Sequence, residues 1–94
     1  MNYIRMARDL LAKKIDVDER LLNLYTLLVF VTGDKTNLEH VHDAWAVWRD
    51  RTNPNHESLV PFSELSEETQ ELDRKYVDAI RETAQEFRCG RRRD

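Results

Sequence analysis

Ninety-four residues with a formal net charge of −3 make one domain with room for a small core, and that charge balance excludes neither ligand nor protein but argues against nucleic acid or an anionic membrane as partner. Charged residues are 35% and apolar ones 40%, with two glycines and two prolines, which is the composition of a soluble, helix-rich chain. The single Cys89 excludes an internal disulfide and fits a reducing compartment, and no basic stretch followed by an apolar run opens the chain as a secretory signal would, so a cytoplasmic location is expected.

Residues 3–14 place Ile4, Ala7, Leu11 and Ile15 on one face, with Tyr3, Met6 and Leu10 beside them and Arg5, Arg8, Asp9, Lys13 and Lys14 around the rest. This spacing predicts an amphipathic packing helix, with Lys13 and Lys14 suited to the negative end of its dipole. Asp16 or Asp18 can cap the next helix, which runs through Leu21–Thr32 to Gly33 as a left-handed stop. Projected at 100° per residue, Leu21 to Val31 is apolar around most of the circle, with a narrow polar strip at Asn23 and Thr26. The run is shorter than the about 20 residues that span a bilayer. A helix apolar all round must be covered all round, and a second copy of the chain is the expected cover for the part that the other helices miss.

Thr36 stands three residues before Glu39, the spacing of a capping box. From there Leu38, Val41, Trp45 and Trp48 recur with the period of one helix face, over a predicted helix from Asn37 to about Arg51. Val41, Ala44 and Trp48 project together, which makes Trp48 a core residue. Trp45 falls on the other flank, with His42 and Arg49 one turn to either side. Asn53-Pro54 ends this helix. After the short apolar run Leu59-Val60-Pro61-Phe62, Ser63 or Ser66 can cap a last helix from Glu67 to about Arg88. Its expected buried stripe is Leu72, Tyr76, Ala79, Ile80, Thr83 and Phe87. Asp73 sits at the edge of that stripe, the usual place for a boundary carboxylate paired with an arginine. Gly90 marks the stop, followed by an arginine-rich tail.

The order His42-Asp43-Ala44-Trp45, then His56, then Leu59-Val60-Pro61-Phe62-Ser63-Glu64-Leu65 and a long polar helix resembles the RyR domain of ryanodine-receptor repeats, in its short stand-alone phage and bacterial form. The resemblance runs from about Leu38 to Phe87, about half the chain. It departs from the family pattern in a shorter arm after the helix, without the usual Gly-Trp and basic stretch, and in Glu57 where a proline is usual. In that family the Trp of the His-x-x-Trp motif acts as a stacking platform for adenine-like or drug-like rings. The resemblance therefore implies a ligand-binding set of Trp45, His42, Arg49, His56 and Asp73, with His42 and Arg49 supplying hydrogen bonds and charge to a phosphate-bearing ligand.

Catalysis is not expected. His40 and His42 point about 200° apart on a helix and cannot share a metal. His42 and Asp43 diverge and accompany no activated nucleophile. Gly33 and Gly90 are too few for a phosphate loop, and Glu64, Glu67, Glu68 and Glu71 read as a solvated acidic face. The expectation is thus an all-α, small four-helix domain over residues 1–94, divided into an N-terminal helical pair (1–35), an RyR-like helix-turn-helix (36–88) and a basic tail (89–94). Its expected role is non-enzymatic capture of a nucleotide-derived small molecule such as a cyclic nucleotide or an ADP-ribose derivative, as a sponge or sensor without cofactor or metal, in the manner of a phage protein that counters host defence. The alternative is a protein–protein interaction module that docks a host protein through its apolar and aromatic helical surface. A homodimer is expected in either case.

Overall fold

Tyr3–Ala12 (α1), Glu19–Val31 (α2), Leu38–Thr52 (α3), Glu67–Glu71 (α4) and Arg74–Arg92 (α5) are the helices of the computed structural model, which describes residues 2–92 with side chains through Arg88. Two 3-10 turns, Gly33–Lys35 and Phe62–Glu64, join them, and no strand occurs among the described residues. The all-α expectation holds at this level.

Helices α1 to α4 each begin where a short polar side chain satisfies their first free N–H groups. The Asn2 carboxamide oxygen accepts from Ile4 N at 3.0 Å and Arg5 N at 3.2 Å, and the Asp18 carboxylate accepts from Arg20 N at 2.8 Å. Ser66 rather than Ser63 caps α4, through Thr69 N. The start of α3 differs from expectation by one residue. Asn37 is its cap, accepting from His40 N at 3.0 Å, while Asn37 N donates to His40 Nδ1 at 3.1 Å. Thr36 is instead buried inside the α2–α3 turn, where its hydroxyl donates to the Gly33 carbonyl at 2.8 Å and lies 2.6 Å from that of Thr32. Gly33 has φ +54°, the left-handed stop read from the sequence, which any other side chain would strain.

Helix α2 is the hub, packed against α1, α3 and α5. Its inner face contributes Leu21, Leu22, Tyr25 and Val29, which meet Ala7 and Leu11 of α1, Val41 and Ala44 of α3, and Val77, Ile80, Ala84 and Phe87 of α5. Burying each large aliphatic or aromatic side chain here contributes about 1.5–3 kcal/mol. An aromatic chain closes one edge: Tyr3 meets Phe30 edge-on at 5.4 Å, and Phe30 meets Phe87 at 5.3 Å. The narrow polar strip expected on α2 is placed differently. Thr26 is buried, its hydroxyl donating to the Leu22 carbonyl at 2.8 Å, and the side left uncovered carries Asn23, Leu27 and Val31.

The single last helix of the sequence reading is two. The chain turns at Leu72 and Asp73, and Leu72, expected in the buried stripe, is 71% exposed. The break lets α4 follow the preceding loop, to which the Gln70 side-chain amide ties it by donating to the carbonyls of Phe62 and Leu65 at 3.0 and 3.2 Å, while α5 follows the core. The Arg74 guanidinium bridges the break with two bonds to the Glu71 carboxylate. Ala79, Ile80, Thr83 and Phe87 are buried as expected, and Val77 and Ala84 join them. Helix α5 runs through Gly90, expected as its stop, to Arg92.

Tyr25 is fully buried, and its hydroxyl has no hydrogen-bond partner among the described residues. Burial, with the nearby Asp73 charge, pushes that hydroxyl far above the usual tyrosine range. An unpaired buried hydroxyl costs about 1–3 kcal/mol, so Tyr25→Phe is expected to raise unfolding free energy by roughly 1 kcal/mol in urea titration. A loss of stability would mean that the hydroxyl is satisfied.

Candidate functional site

The second half of α3 and the loop that follows bring four of the five sequence-predicted site residues together. His42 is 3% exposed, and its Nε2–H donates to the Val60 carbonyl at 2.8 Å, which pins the 53–66 loop to α3. Its ring stacks on Trp45 at 5.7 Å, with Phe62 of the loop 6.1 Å away. His56 approaches Trp45 edge-on at 5.1 Å and is itself oriented by Ser58 N, which donates to His56 Nδ1 at 3.0 Å. Trp45 is therefore flanked on two sides by imidazoles of its own chain.

Arg49 lies over Trp48 at 4.3 Å and over Trp45 at 5.9 Å, so its guanidinium is drawn to the second tryptophan more closely than to the first. Such contacts are worth about 0.5–1 kcal/mol when exposed and more when desolvated. One of its terminal nitrogens donates to the Thr52 hydroxyl at 3.3 Å, while Nε is buried without a partner among the described residues. Trp48, expected in the core, is only partly buried and packs on the core's edge beside Trp45. Arg49 covers one face of the Trp48 indole, and the ring also lines the concavity between α2 and α3.

Asp73, the fifth predicted residue, comes from the α4–α5 break. It is half-buried, and burial raises its carboxyl above the usual aspartate range, partly offset by the charges of His42 and Lys75. It forms no ion pair among the described residues, so the arginine partner expected for a boundary carboxylate is absent there.

Two concavities flank this end of α3. One, of ≈ 420 Å³, lies between α3 and the loop, with Ala46, Val47, Leu59 and Pro61 in its wall. The other, of ≈ 370 Å³, lies between α2 and α3, lined by Arg20, Leu24, Val47, Trp48, Arg51 and Thr52. Val47, which stands 60% exposed on the ridge between them, was not singled out from the sequence. It lies three residues after Ala44, only about 60° round α3 from it, on the flank between the core stripe and the acidic Asp43 and Asp50. A third concavity, of ≈ 370 Å³, opens between α1 and α2 and is lined by Tyr3, Ile4, Asn23, Thr26, Leu27 and Phe30. Among the described residues no three His, Cys, Asp or Glu side chains are grouped to hold a metal ion, and no helix is long and apolar enough to cross a membrane.

The domain family described as a domain of unknown function, DUF7701, matches residues 2–85. No curated protein and no solved structure matches the chain.

The raised Asp73 carboxyl makes a signed pH prediction. A proton binds more tightly in the folded than in the unfolded chain, so folding stability from this group is greatest below the unfolded value near 3.8 and falls as pH rises through the folded value. Asp73→Asn is expected to raise Tm at pH 7 and to leave it nearly unchanged near pH 3, as read by thermal melts at the two pH values. An equal change at both would assign Asp73 a role unrelated to its charge.

Proposed function

The chain belongs to the DUF7701 family, and we propose that it is a non-enzymatic protein-interaction module that docks a partner protein through the outer face of α2 and α3. One observation carries this reading. Leu27, Val31 and Val47 are 56%, 67% and 60% exposed on two neighbouring helices; Val47 lines the concavity between those helices with Leu24 and Trp48, and Leu27 lines the one between α1 and α2. Aliphatic side chains exposed together on adjacent elements are the mark of a surface that is covered in use, and an aromatic beside a concavity is the usual anchor of such an interface. Arg20 and Arg51 at the rim supply polar contacts around an apolar centre.

A second reading is capture of a nucleotide-like small molecule at Trp45, the role implied by the resemblance to RyR domains. What supports it is the gathering of His42, Trp45, Arg49 and His56 at one end of α3. What weighs against it is that Trp45 already has two imidazoles against it and that Arg49 rests on Trp48. A stacking ligand would have to displace rings that also fix the loop. The phage-encoded, anti-defence role belongs to this second reading and falls with it.

The two readings part on one pair of measurements. Immobilised chain exposed to lysate of its source cells is expected to retain a protein that Val47→Asp loses, while that exposed substitution shifts unfolding free energy by no more than about 0.5 kcal/mol. A panel of adenine nucleotides, cyclic dinucleotides and cyclic ADP-ribose isomers is expected to leave Tm unchanged. A clear rise in Tm that Trp45→Ala abolishes, with no protein lost by Val47→Asp, would replace the first reading with the second.

A further inference from the structure

The concavities of the surface differ in charge. The one between α1 and α2 has no charged residue in its lining, and the one between α3 and the loop carries the carboxylates of Asp43 and Asp50. The one between α2 and α3 carries Arg20 and Arg51, with no acidic residue lining it. In a chain of net charge −3, a concavity whose only charges are positive stands apart. The carboxylates next to these arginines in sequence are engaged elsewhere. Glu19 lies 3.2 Å from Arg8, and Asp50 lines the α3–loop concavity. Arg20 and Arg51 are both exposed and form no ion pair among the described residues.

A third guanidinium adds to this charge. Arg49 lies over the Trp48 indole at 4.3 Å, so the ring that forms part of the wall is itself held against a cation. The rest of the lining is the aliphatic Leu24 and Val47, together with Thr52, whose hydroxyl already donates to the Arg49 carbonyl at 3.1 Å. An arginine fork matches a carboxylate in a bidentate pair and gives up its water more readily than an ammonium does. An indole beside a concavity is a common anchor for an entering side chain. The volume of ≈ 370 Å³ is at the lower end of the about 300–1,000 Å³ that ligand sites occupy, which suits the side chains of one short segment.

We infer that the partner presents an acidic peptide segment to this concavity, seating an apolar side chain against Leu24, Val47 and Trp48 and placing flanking carboxylates on Arg20 and Arg51. The inference rests on the interaction reading above and names the chemistry of its partner. Two-dimensional NMR titration of the full chain with capped hexapeptides tests it, because the two indole N–H signals separate this concavity from the ring cluster. Each peptide holds an aliphatic–aromatic pair flanked on both sides by glutamate, by glutamine or by lysine. The glutamate set is expected to shift the Trp48 indole and the Leu24 and Val47 amides, with the Trp45 indole unmoved. Glutamine in the same places is expected to weaken binding about tenfold, and lysine to abolish it. Arg20→Ala and Arg51→Ala remove exposed side chains and are expected to stay folded by far-UV circular dichroism. Each is expected to weaken the glutamate set about threefold to fivefold. Arg20→Glu combined with Arg51→Glu is expected to exchange the preference, releasing the glutamate set and taking up the lysine set. Glutamine peptides that bind as tightly as glutamate ones, or a glutamate set untouched by the double variant, overturn the inference. So does a Trp48 indole that no set shifts. If Val47→Asp still loses a retained protein in that case, the acidic partner is rejected and the interaction surface stands; if it loses none, both fall.

Discussion

Helix α2 needs apolar neighbours on every side and has them on only part of its circumference. Its inner face is filled by α1, α3 and α5. No further element among the described residues lies over the outer face, where Leu27 and Val31 remain exposed. Core and surface are therefore not independent choices here. The same apolar composition that lets α2 act as the hub for three helices obliges its outer side to face either water or another protein.

The α3 end of the molecule answers a different constraint, that of holding a loop rich in irregular backbone. Residues 53–66 carry both prolines and only one short 3-10 turn, and they are fastened by side chains rather than by a ladder. His42 donates to the Val60 carbonyl, Gln70 donates to the carbonyls of Phe62 and Leu65, and Trp45 fills the space between His42 and His56. Histidine serves well in this place because it brings both an aromatic face for the indole and a donor for the carbonyl. The ring cluster is thus explained by loop anchoring, which is why its side chains are engaged with one another rather than open.

Much of this fold could be read from spacing and caps. Asp18, Ser66 and Gly33 act as their residue types require, and the inner faces of α1, α3 and α5 follow from helical periodicity. The errors have physical sources. Asn37 displaced Thr36 as a cap because Thr36 closes a buried turn, a tertiary demand with no local mark. The break at Leu72 and Asp73 contains neither proline nor glycine, and it arises because Gln70 ties α4 to a loop that precedes it. The gathering of His42, Trp45, Arg49 and His56 was legible, because three of them share a helix and the fourth follows a short turn. Which ring Arg49 would choose was not legible, since both indoles lie within its reach. Val47 was missed because an isolated valine on a polar face carries meaning only once Leu27 and Val31 are known to be uncovered on the neighbouring helix.

The central claim is that the outer face of α2 and α3, not the ring cluster at Trp45, is the surface this protein uses. Two-dimensional amide and indole NMR spectra recorded as the protein retained from lysate is added test it most directly, because they report each residue separately. The account predicts shifts at Arg20, Leu24, Leu27, Val31 and Val47, with the Trp45 indole and His56 amide unmoved. Spectra in which those five residues stay in place, together with a Trp45 indole that shifts on addition of an adenine nucleotide, would contradict it.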